Sequence, residues 1–308
     1  MRGEFGFSIV ELLAAAAILL VAIASLVIVS IPSHAAFSSQ SETVDLQQRL
    51  RVVVDTLSKD LLAAGSGGYL GAGGSALTYS SAPVLPYRVG ARGADPPGTF
   101  RPDTITILSV ARSGGGTVST TYLLKTSPGG PPQLVVYDGT ANPDVPVVDN
   151  VVGLSFDYYG DPQPPTMRKI VADDAGPWTT YGPPPPSVAA PPFGPGENCV
   201  FTNDGSPTPR PRLAALGAVD APLLKLTAAQ LTDGPWCPDD GDPARWDADL
   251  LRVRRIVVTV RVQAASAALR GPGGPLFSRA GTAREGSKWV PDQEIRFDVS
   301  PRNLNLGR

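Results

Sequence analysis

The chain has 308 residues, with 26 Lys and Arg against 28 Asp and Glu, which gives a formal net charge of −2 at pH 7. This balance excludes a protein that coats nucleic acid through a general excess of positive charge, because neutralising phosphates needs clustered Lys and Arg. Gly and Pro contribute 33 residues each, which favours short strands and long loops over a helical bundle or a doubly wound α/β enzyme. The single histidine, His34, excludes most zinc enzymes and every mechanism built on another histidine base.

The N-terminal region is a long apolar segment with an acidic residue near its start. No Asp, Glu, Lys or Arg occurs between Glu11 and Glu42, and residues 12–29 are apolar except for Ser25. Such a run is long enough for a membrane-spanning helix. A carboxylate at the centre of such a helix costs on the order of 2.5–3.5 kcal/mol, and less near an end. Cleavage after Gly6 would place a new α-amino group on Phe7, about one helical turn before this carboxylate, and the two charges could offset each other.

The sequence Gly-Phe-Ser-Ile-Val-Glu-Leu-Leu at residues 6–13 resembles the prepilin-type signal of type IV pilins and type II secretion pseudopilins. The resemblance implies that a prepilin peptidase removes residues 1–6 and that Phe7 is then N-methylated. It also implies that Glu11 pairs with the Phe7 amine of an adjacent subunit in a helical filament. The implied fold is α+β and pilin-like, with a long N-terminal helix packed on an antiparallel, sheet-rich C-terminal domain that has long Pro/Gly-rich loops.

Two alternatives for the N-terminal segment remain open. A secretory signal peptide would be cleaved near Ser33-His34-Ala35, although the apolar run is longer than the usual 7–15 residues and carries an acid at its start. An unprocessed membrane anchor would keep Met1. The two alternatives therefore predict mature chains that begin at Ala36 and at Met1, whereas prepilin processing predicts Phe7.

The helical pattern continues beyond the apolar run. Apolar residues recur every three or four positions, as in an amphipathic helix, at Val44, Leu46, Leu50, Val53, Leu57 and Leu61. Gly65 provides a stop, so we expect a membrane-spanning, filament-core helix over residues 7–31 and an amphipathic extension over residues 32–64. Pro32 is expected to kink the helix or melt it locally. Residues 48–61 resemble PilW-type minor pilins and J-type minor pseudopilins, and any packed amphipathic helix is the alternative.

Residues 65–308 are predicted to form a sheet-rich head domain. Runs rich in β-branched and aromatic residues predict strands at Thr104–Ala111, Val118–Lys125, Gln133–Tyr137, Val147–Tyr159, Arg252–Val262 and Glu294–Val299. A Pro-rich insertion at residues 161–196 is expected to have no packed core. A short helical pattern surrounds Leu226–Leu231.

Three groups of residues in this domain are candidate sites. Cys199 and Cys237 are predicted to form a disulfide in an extracytoplasmic compartment. An acidic stretch could bind calcium or form a polar turn, although its spacing differs from that of an EF-hand: Asp239, Asp240, Asp242, Asp247 and Asp249. Four arginines could form a basic face for DNA or polysaccharide, or could be solvated partners of acidic neighbours: Arg252, Arg254, Arg255 and Arg261.

No catalytic motif, phosphate-binding loop, cofactor site or metal site is predicted, so the chain is expected not to be an enzyme. The resemblance implies a minor subunit in the assembly, initiation or capping of a type IV pilus. A minor pseudopilin of a type II secretion system and an adhesive tip subunit that binds glycan or DNA are the alternatives. The implied partners are the prepilin peptidase, other pilin or pseudopilin subunits and the bacterial inner membrane, with the head domain in the periplasm.

Overall fold

The computed structural model describes residues 8–66, 82–87, 101–110, 117–138, 144–165, 197, 199–202, 204–205, 210–237, 245–284 and 286–304, without the side chains of residues 29–36, 110, 117 and 287. The described residues form one long α-helix and antiparallel β-sheets. They divide into two compact units, one from residues 1–47 and 264–292 and the other from residues 48–263 and 293–308. The predicted α+β class, a long N-terminal helix followed by antiparallel sheets, is confirmed.

The helix, α1, runs from Ile9 to Ala63, against a predicted helix over residues 7–64. The expected local melting at Pro32 is wrong, because the backbone stays helical through this residue. Proline removes one backbone donor from the helix, and the turns on both sides keep their own hydrogen bonds. Gly65, two residues after the last helical residue, has a positive φ of 72°, which suits glycine and stops the helix from continuing. A Cβ there would lie 3.2 Å from the ring of Pro83.

The first unit combines the N-terminal part of α1 with residues 264–292, which we call the 264–292 segment. This segment contains two short 3-10 helices, Ala267–Leu269 and Gly286–Lys288. The ring of Phe277 packs edge to face on that of Trp289, with 5.7 Å between the ring centroids. Sequence analysis gave no structural account of the segment, because its small and polar residues lack a regular period.

The second unit contains a five-stranded antiparallel meander. Its strands are neighbours in chain order: β1 (Val84–Pro86), β2 (Ile105–Val110), β3 (Thr117–Thr126), β4 (Pro132–Tyr137) and β5 (Val145–Asp149). The predicted strands at residues 104–111, 118–125 and 133–137 correspond to β2, β3 and β4. On β3, Tyr122 pairs with Ile105 of β2 and with Val136 of β4.

The same unit contains a four-stranded sheet and two small ribbons. The sheet has the order β13-β12-β6-β9 and is built from β6 (Val151–Gly160), β9 (Leu224–Leu226), β12 (Val253–Val262) and β13 (Gln293–Val299). One ribbon pairs β7 (Phe201–Thr202) with β8 (Arg210–Pro211), and the other pairs β10 (Trp236–Cys237) with β11 (Trp246–Asp247). From residue 256 onward, every second residue of β12 is fully buried, as its alternation predicts: Ile256, Val258, Val260 and Val262.

Two predicted elements are wrong. The single strand expected at Val147–Tyr159 is split into β5 and β6, which belong to different sheets. Asn150 separates them with a φ of 62°, a left-handed conformation that asparagine tolerates and that ends a strand. The helical pattern around Leu226–Leu231 is the end of β9 followed by a turn.

That turn starts as a helix would. The hydroxyl of Thr227 accepts from the amide N–H of Gln230 at 3.2 Å, and the Gln230 side chain accepts from the Thr227 N–H at 2.9 Å. This reciprocal pair is a capping box. The turn does not extend because Gly234 and Pro235 follow it, and both residues disfavour a continuing helix. Of the Pro-rich insertion, residues 166–196 lie outside the described residues.

Candidate functional site

The most exposed apolar surface of the described chain is the N-terminal part of α1. Residues Ile9–Ile28, which we call the apolar span, have a mean hydropathy of 2.6 and are 0% buried. The span is long and apolar enough to cross a membrane. It contains a dozen exposed Ile, Leu and Val side chains, and removing them from water is worth on the order of 20 kcal/mol. The free energy therefore strongly favours covering this surface with lipid or with other apolar helices.

Glu11 lies in the first turn of α1. The hydroxyl of Ser8 accepts from the N–H of Val10 at 3.3 Å, and the amide of Glu11 donates to the Ser8 carbonyl at 3.0 Å. Ser8 therefore caps the helix, and Glu11 is the third residue after the cap. A carboxylate in a first turn is stabilised by the partial positive charge of the helix N-terminus. Gly6 and Phe7, the predicted processing residues, lie outside the described residues.

In the second unit, the last turns of α1 are buried along one face. Leu50, Val53, Leu57 and Leu61 are at most 8% exposed, at the spacing the amphipathic pattern predicts. Hydrogen bonds also fix the end of the helix. The hydroxyl of Tyr122 on β3 donates to the carboxylate of Asp60 at 2.6 Å. The side-chain amide of Asn303 donates to the carbonyl of Ala64 at 3.0 Å, and Gly65 N–H donates to the carbonyl of Leu108 on β2 at 2.8 Å.

These contacts attach the helix to the five-stranded meander and to the residues that follow the four-stranded sheet. Tyr122 and Leu108 belong to the five-stranded meander, whereas Asn303 follows β13 of the four-stranded sheet. Burial and the hydrogen bond to Asp60 raise the pKa of Tyr122, so the phenol stays neutral and remains a donor. Sequence analysis missed this connection, because the partners are 62 residues apart.

The disulfide between Cys199 and Cys237 is present, with 5.2 Å between the Cα atoms. Cys237 ends β10, which pairs with β11. The carboxylate of Asp247, at the end of β11, accepts from two backbone N–H groups that flank the ribbon. These are Gly234 N–H at 2.7 Å, before the ribbon, and Asp249 N–H at 2.8 Å, after it. Burial raises the pKa of Asp247 to about 7 despite these two bonds, which favour the ionised form. Asp247 thus holds together the turn before the ribbon and the 3-10 helix Ala248–Arg252 after it.

Carboxylate oxygens of Asp233, Asp247 and Asp249 lie within 4.8 Å of one another. Asp249 forms an ion pair with the buried guanidinium of Arg252, so an internal cation already faces this cluster. The two residues of the acidic stretch that are described, Asp247 and Asp249, therefore act as hydrogen-bond and ion-pair partners within the fold. Asp239, Asp240 and Asp242 lie outside the described residues.

The four arginines do not form one exposed basic face. Arg252 is 1% exposed and also donates to the carbonyls of Pro162 and Ala214. Arg254 is 8% exposed and donates to the carbonyl of Leu251 at 2.7 Å. The interpretation of these residues as solvated partners of acidic neighbours is therefore wrong for Arg252 and Arg254, which are buried.

The other two arginines are only partly exposed. The guanidinium of Arg255 lies 4.5 Å from the centroid of the Tyr159 ring, in a cation–π contact. Arg261 lies near the end of β12 and is half-buried. Sequence reasoning failed for this group because the arginine pattern gives the charges but not the carbonyls and carboxylates that other segments bring to them.

The comparisons with known proteins give a structural likeness and no sequence match. No family model matches the sequence, and no curated protein matches it. The structure is similar to that of a type IV-like pilin from Thermus thermophilus, at 11% sequence identity and a TM-score of 0.33. The match covers 84% of this chain and 97% of that chain.

Proposed function

We propose that this chain is a structural, non-catalytic minor pilin-like subunit that is anchored in the inner membrane by α1 and takes part in assembling, initiating or capping a type IV pilus. The observation that carries the proposal is the wholly exposed apolar span with Glu11 in its first turn. A soluble protein would leave this surface in water at a cost on the order of 20 kcal/mol. Lipid covers it before assembly, and the helices of neighbouring subunits cover it in the filament.

The mechanism follows from the two parts of the helix. The apolar span provides lateral packing between subunits. Removal of residues 1–6 by the prepilin peptidase gives Phe7 a cationic amine, which pairs with Glu11 of the next subunit and sets the axial register. In the low dielectric of a filament core this pairing discriminates strongly against a misaligned subunit, because an unpaired carboxylate is costly there. The head domain, held to the end of α1, then limits where the subunit fits.

Processing is tested by mass spectrometry of the chain purified from membranes. The expected mature chain begins at N-methylated Phe7. A mature chain that begins at Ala36 or Met1 would refute the proposal, because neither contains the cation that Glu11 is proposed to meet. A single N-terminal segment in the membrane and a protease-accessible periplasmic head are expected in the same preparation.

The pairing role is tested by Glu11→Ala, with Glu4→Ala as the matched control because residue 4 is removed on processing. Glu11→Ala is expected to be cleaved normally and to incorporate poorly into filaments, whereas Glu4→Ala is expected to behave as wild type. Glu11→Gln keeps the volume and a hydrogen-bonding group, so a defect shared with Glu11→Ala identifies the charge as the cause. Normal incorporation of Glu11→Ala would refute the pairing.

A minor pseudopilin of a type II secretion system uses the same anchor and the same charge pair, so it is the alternative. Deletion of the gene separates the two systems: loss of surface fibres with normal protein secretion supports the pilus, and the opposite result supports the secretion system. An adhesive head that binds glycan or DNA has less support, because Arg252, Arg254 and Arg255 are engaged in contacts within the fold.

A further inference from the structure

The 264–292 segment joins β12 to β13 and has no part in the proposed assembly mechanism. It is nonetheless a fixed structure, because several backbone hydrogen bonds cross it: Gly281 N–H to Gly271 carbonyl at 2.8 Å, Thr282 N–H to Ala267 carbonyl at 2.7 Å and Val290 N–H to Leu269 carbonyl at 2.8 Å. Phe277, Leu269 and Val290 are buried. The segment therefore presents its outer side chains from a rigid base.

The charged residues of the segment are mostly basic. The segment contains four basic residues, Arg270, Arg279, Arg284 and Lys288, against two acidic ones, Glu285 and Asp292. Its net charge is thus positive in a chain whose total is −2. Arg279, Arg284 and Lys288 are exposed. The half-buried Asp292 accepts from the backbone N–H of Ser278 at 2.7 Å.

The segment lies beside the part of α1 that follows the apolar span. The backbone N–H of Ala265 donates to the carboxylate of Glu42 at 2.6 Å, and the segment belongs to the same compact unit as the helix up to residue 47. Glu42 is the first charged residue after Glu11. It stands 14 residues beyond Ile28, which is about 21 Å along a helix. A compact segment of this length is about 20 Å across, so it can extend from Glu42 to the headgroup layer.

We propose that the three exposed cations of the 264–292 segment, Arg279, Arg284 and Lys288, bind the anionic phospholipid headgroups of the membrane that α1 crosses. This inference rests on the membrane anchorage in the proposed function. Each cation held near an anionic surface contributes roughly fivefold to the binding equilibrium, which makes about a hundredfold for three. The attraction falls off within a Debye length of about 8–10 Å, so the contact is lost in high salt and when the subunit is drawn out of the membrane. The contact seats the unassembled subunit at the membrane surface.

The test uses the full chain in lipid nanodiscs made of phosphatidylcholine alone or of a mixture with phosphatidylglycerol. Both native cysteines form the disulfide, so Leu276→Cys introduces one free thiol for a fluorophore on the segment, at a side chain that is 52% exposed. Val219→Cys, at a side chain that is 78% exposed in the second unit, is the matched labelling control. A quencher attached to lipid headgroups reports the approach of each label to the membrane surface.

Charge reversal identifies the residues responsible. The test variant carries Arg279→Glu, Arg284→Glu and Lys288→Glu, and a milder variant carries Gln at the same positions. The control variant makes the same change in total charge at exposed residues of the second unit, with Arg51→Glu, Lys59→Glu and Arg302→Glu. Circular dichroism checks that all variants fold.

We expect quenching of the label at residue 276 only in discs that contain phosphatidylglycerol, with loss in high salt and in the test variant but not in the control variant. The Gln variant is expected to lie between wild type and the test variant. Equal quenching in both lipid compositions, or quenching unchanged by the test variant, would overturn the inference. A third result would also overturn it: the detergent-solubilised chain binds a DNA duplex, only the test variant abolishes this binding, and the lipid composition has no effect on quenching. Failure of the chain to remain in the discs at all would instead refute the proposed membrane anchorage.

Discussion

The hydrogen bond from Tyr122 to Asp60 is predicted to hold the end of α1 on the five-stranded meander. Its O–O distance is 2.6 Å, Tyr122 is 2% exposed, and the acceptor is a carboxylate. Hydrogen bonds to charged groups contribute about 1.5–3 kcal/mol. Because Asp60 is half-buried and can regain some hydration, we expect Tyr122→Phe to lower the free energy of unfolding by about 1.5–2 kcal/mol.

A double-mutant cycle isolates the pair. Tyr122→Phe, Asp60→Ala and the combined variant are compared by urea unfolding of the full chain in mild detergent, followed by near-ultraviolet circular dichroism. If the hydrogen bond is the main interaction of both groups, the combined variant loses little more stability than either single variant, and the coupling energy is at least about 1 kcal/mol. Asp55→Ala is the matched control, since Asp55 lies on the exposed face of the same helix.

The same bond predicts an alkaline effect. The folded-state pKa of Tyr122 is raised above its ordinary value of 10.0, so the unfolded chain releases this proton first as the pH increases. The contribution of this tyrosine to the free energy of unfolding is therefore fully present below about pH 10. Above that pH it falls by up to about 1.4 kcal/mol per pH unit for each such tyrosine. Tyr87 and Tyr158 also have raised pKa values, so Tyr122→Phe is expected to reduce the slope without abolishing it. Additive losses in the cycle, or an unchanged alkaline slope, would refute the reasoning.

Three further predictions concern other parts of the fold. Burial raises the folded-state pKa of Asp247 to about 7, so the unfolded chain loses this proton first as the pH increases. The free energy of unfolding therefore falls by a few kcal/mol between about pH 4 and pH 7. Asp247→Asn should flatten this pH dependence in urea unfolding, and an unchanged pH profile would contradict the prediction. Reducing the disulfide between Cys199 and Cys237, which are 38 positions apart, should lower the free energy of unfolding by about 4 kcal/mol. The loss is measured as a lower urea midpoint, and the Cys199→Ser, Cys237→Ser variant should show the same midpoint without reductant. Gly281→Ala would place a Cβ 2.3 Å from the carbonyl oxygen of Arg270, so it should speed amide exchange across the 264–292 segment, whereas Gly273→Ala, whose nearest contact would be 3.7 Å, should not.

Local patterns predicted the elements whose residues repeat with a clear period. The buried face of α1 and the alternation of β12 were both readable, because a helix and a strand place every third or fourth and every second residue on one side. The pattern failed where one backbone conformation decides the outcome. Asn150 interrupts an otherwise continuous strand sequence through a positive φ, and Thr227 begins a helical turn that has no room to continue.

The candidate site divides in the same way. The apolar span and its acid are properties of a contiguous sequence, because twenty neighbouring residues either suit lipid or do not. The burial of Arg252 depends on carbonyls supplied by Pro162 and Ala214. The sequence gives no distance between such groups, so the arginine pattern alone predicted exposed side chains.

The sequence by itself determined the long helix, the apolar surface it leaves exposed, the position of its acid and most of the strands, since each depends on composition and on periods within one segment. Only the tertiary structure decided which segments meet: Tyr122 with Asp60, Arg252 with Asp249, and the 264–292 segment with Glu42. The physical reason is that hydrogen bonds and ion pairs act over a few ångströms in space, whatever the separation of their partners along the chain.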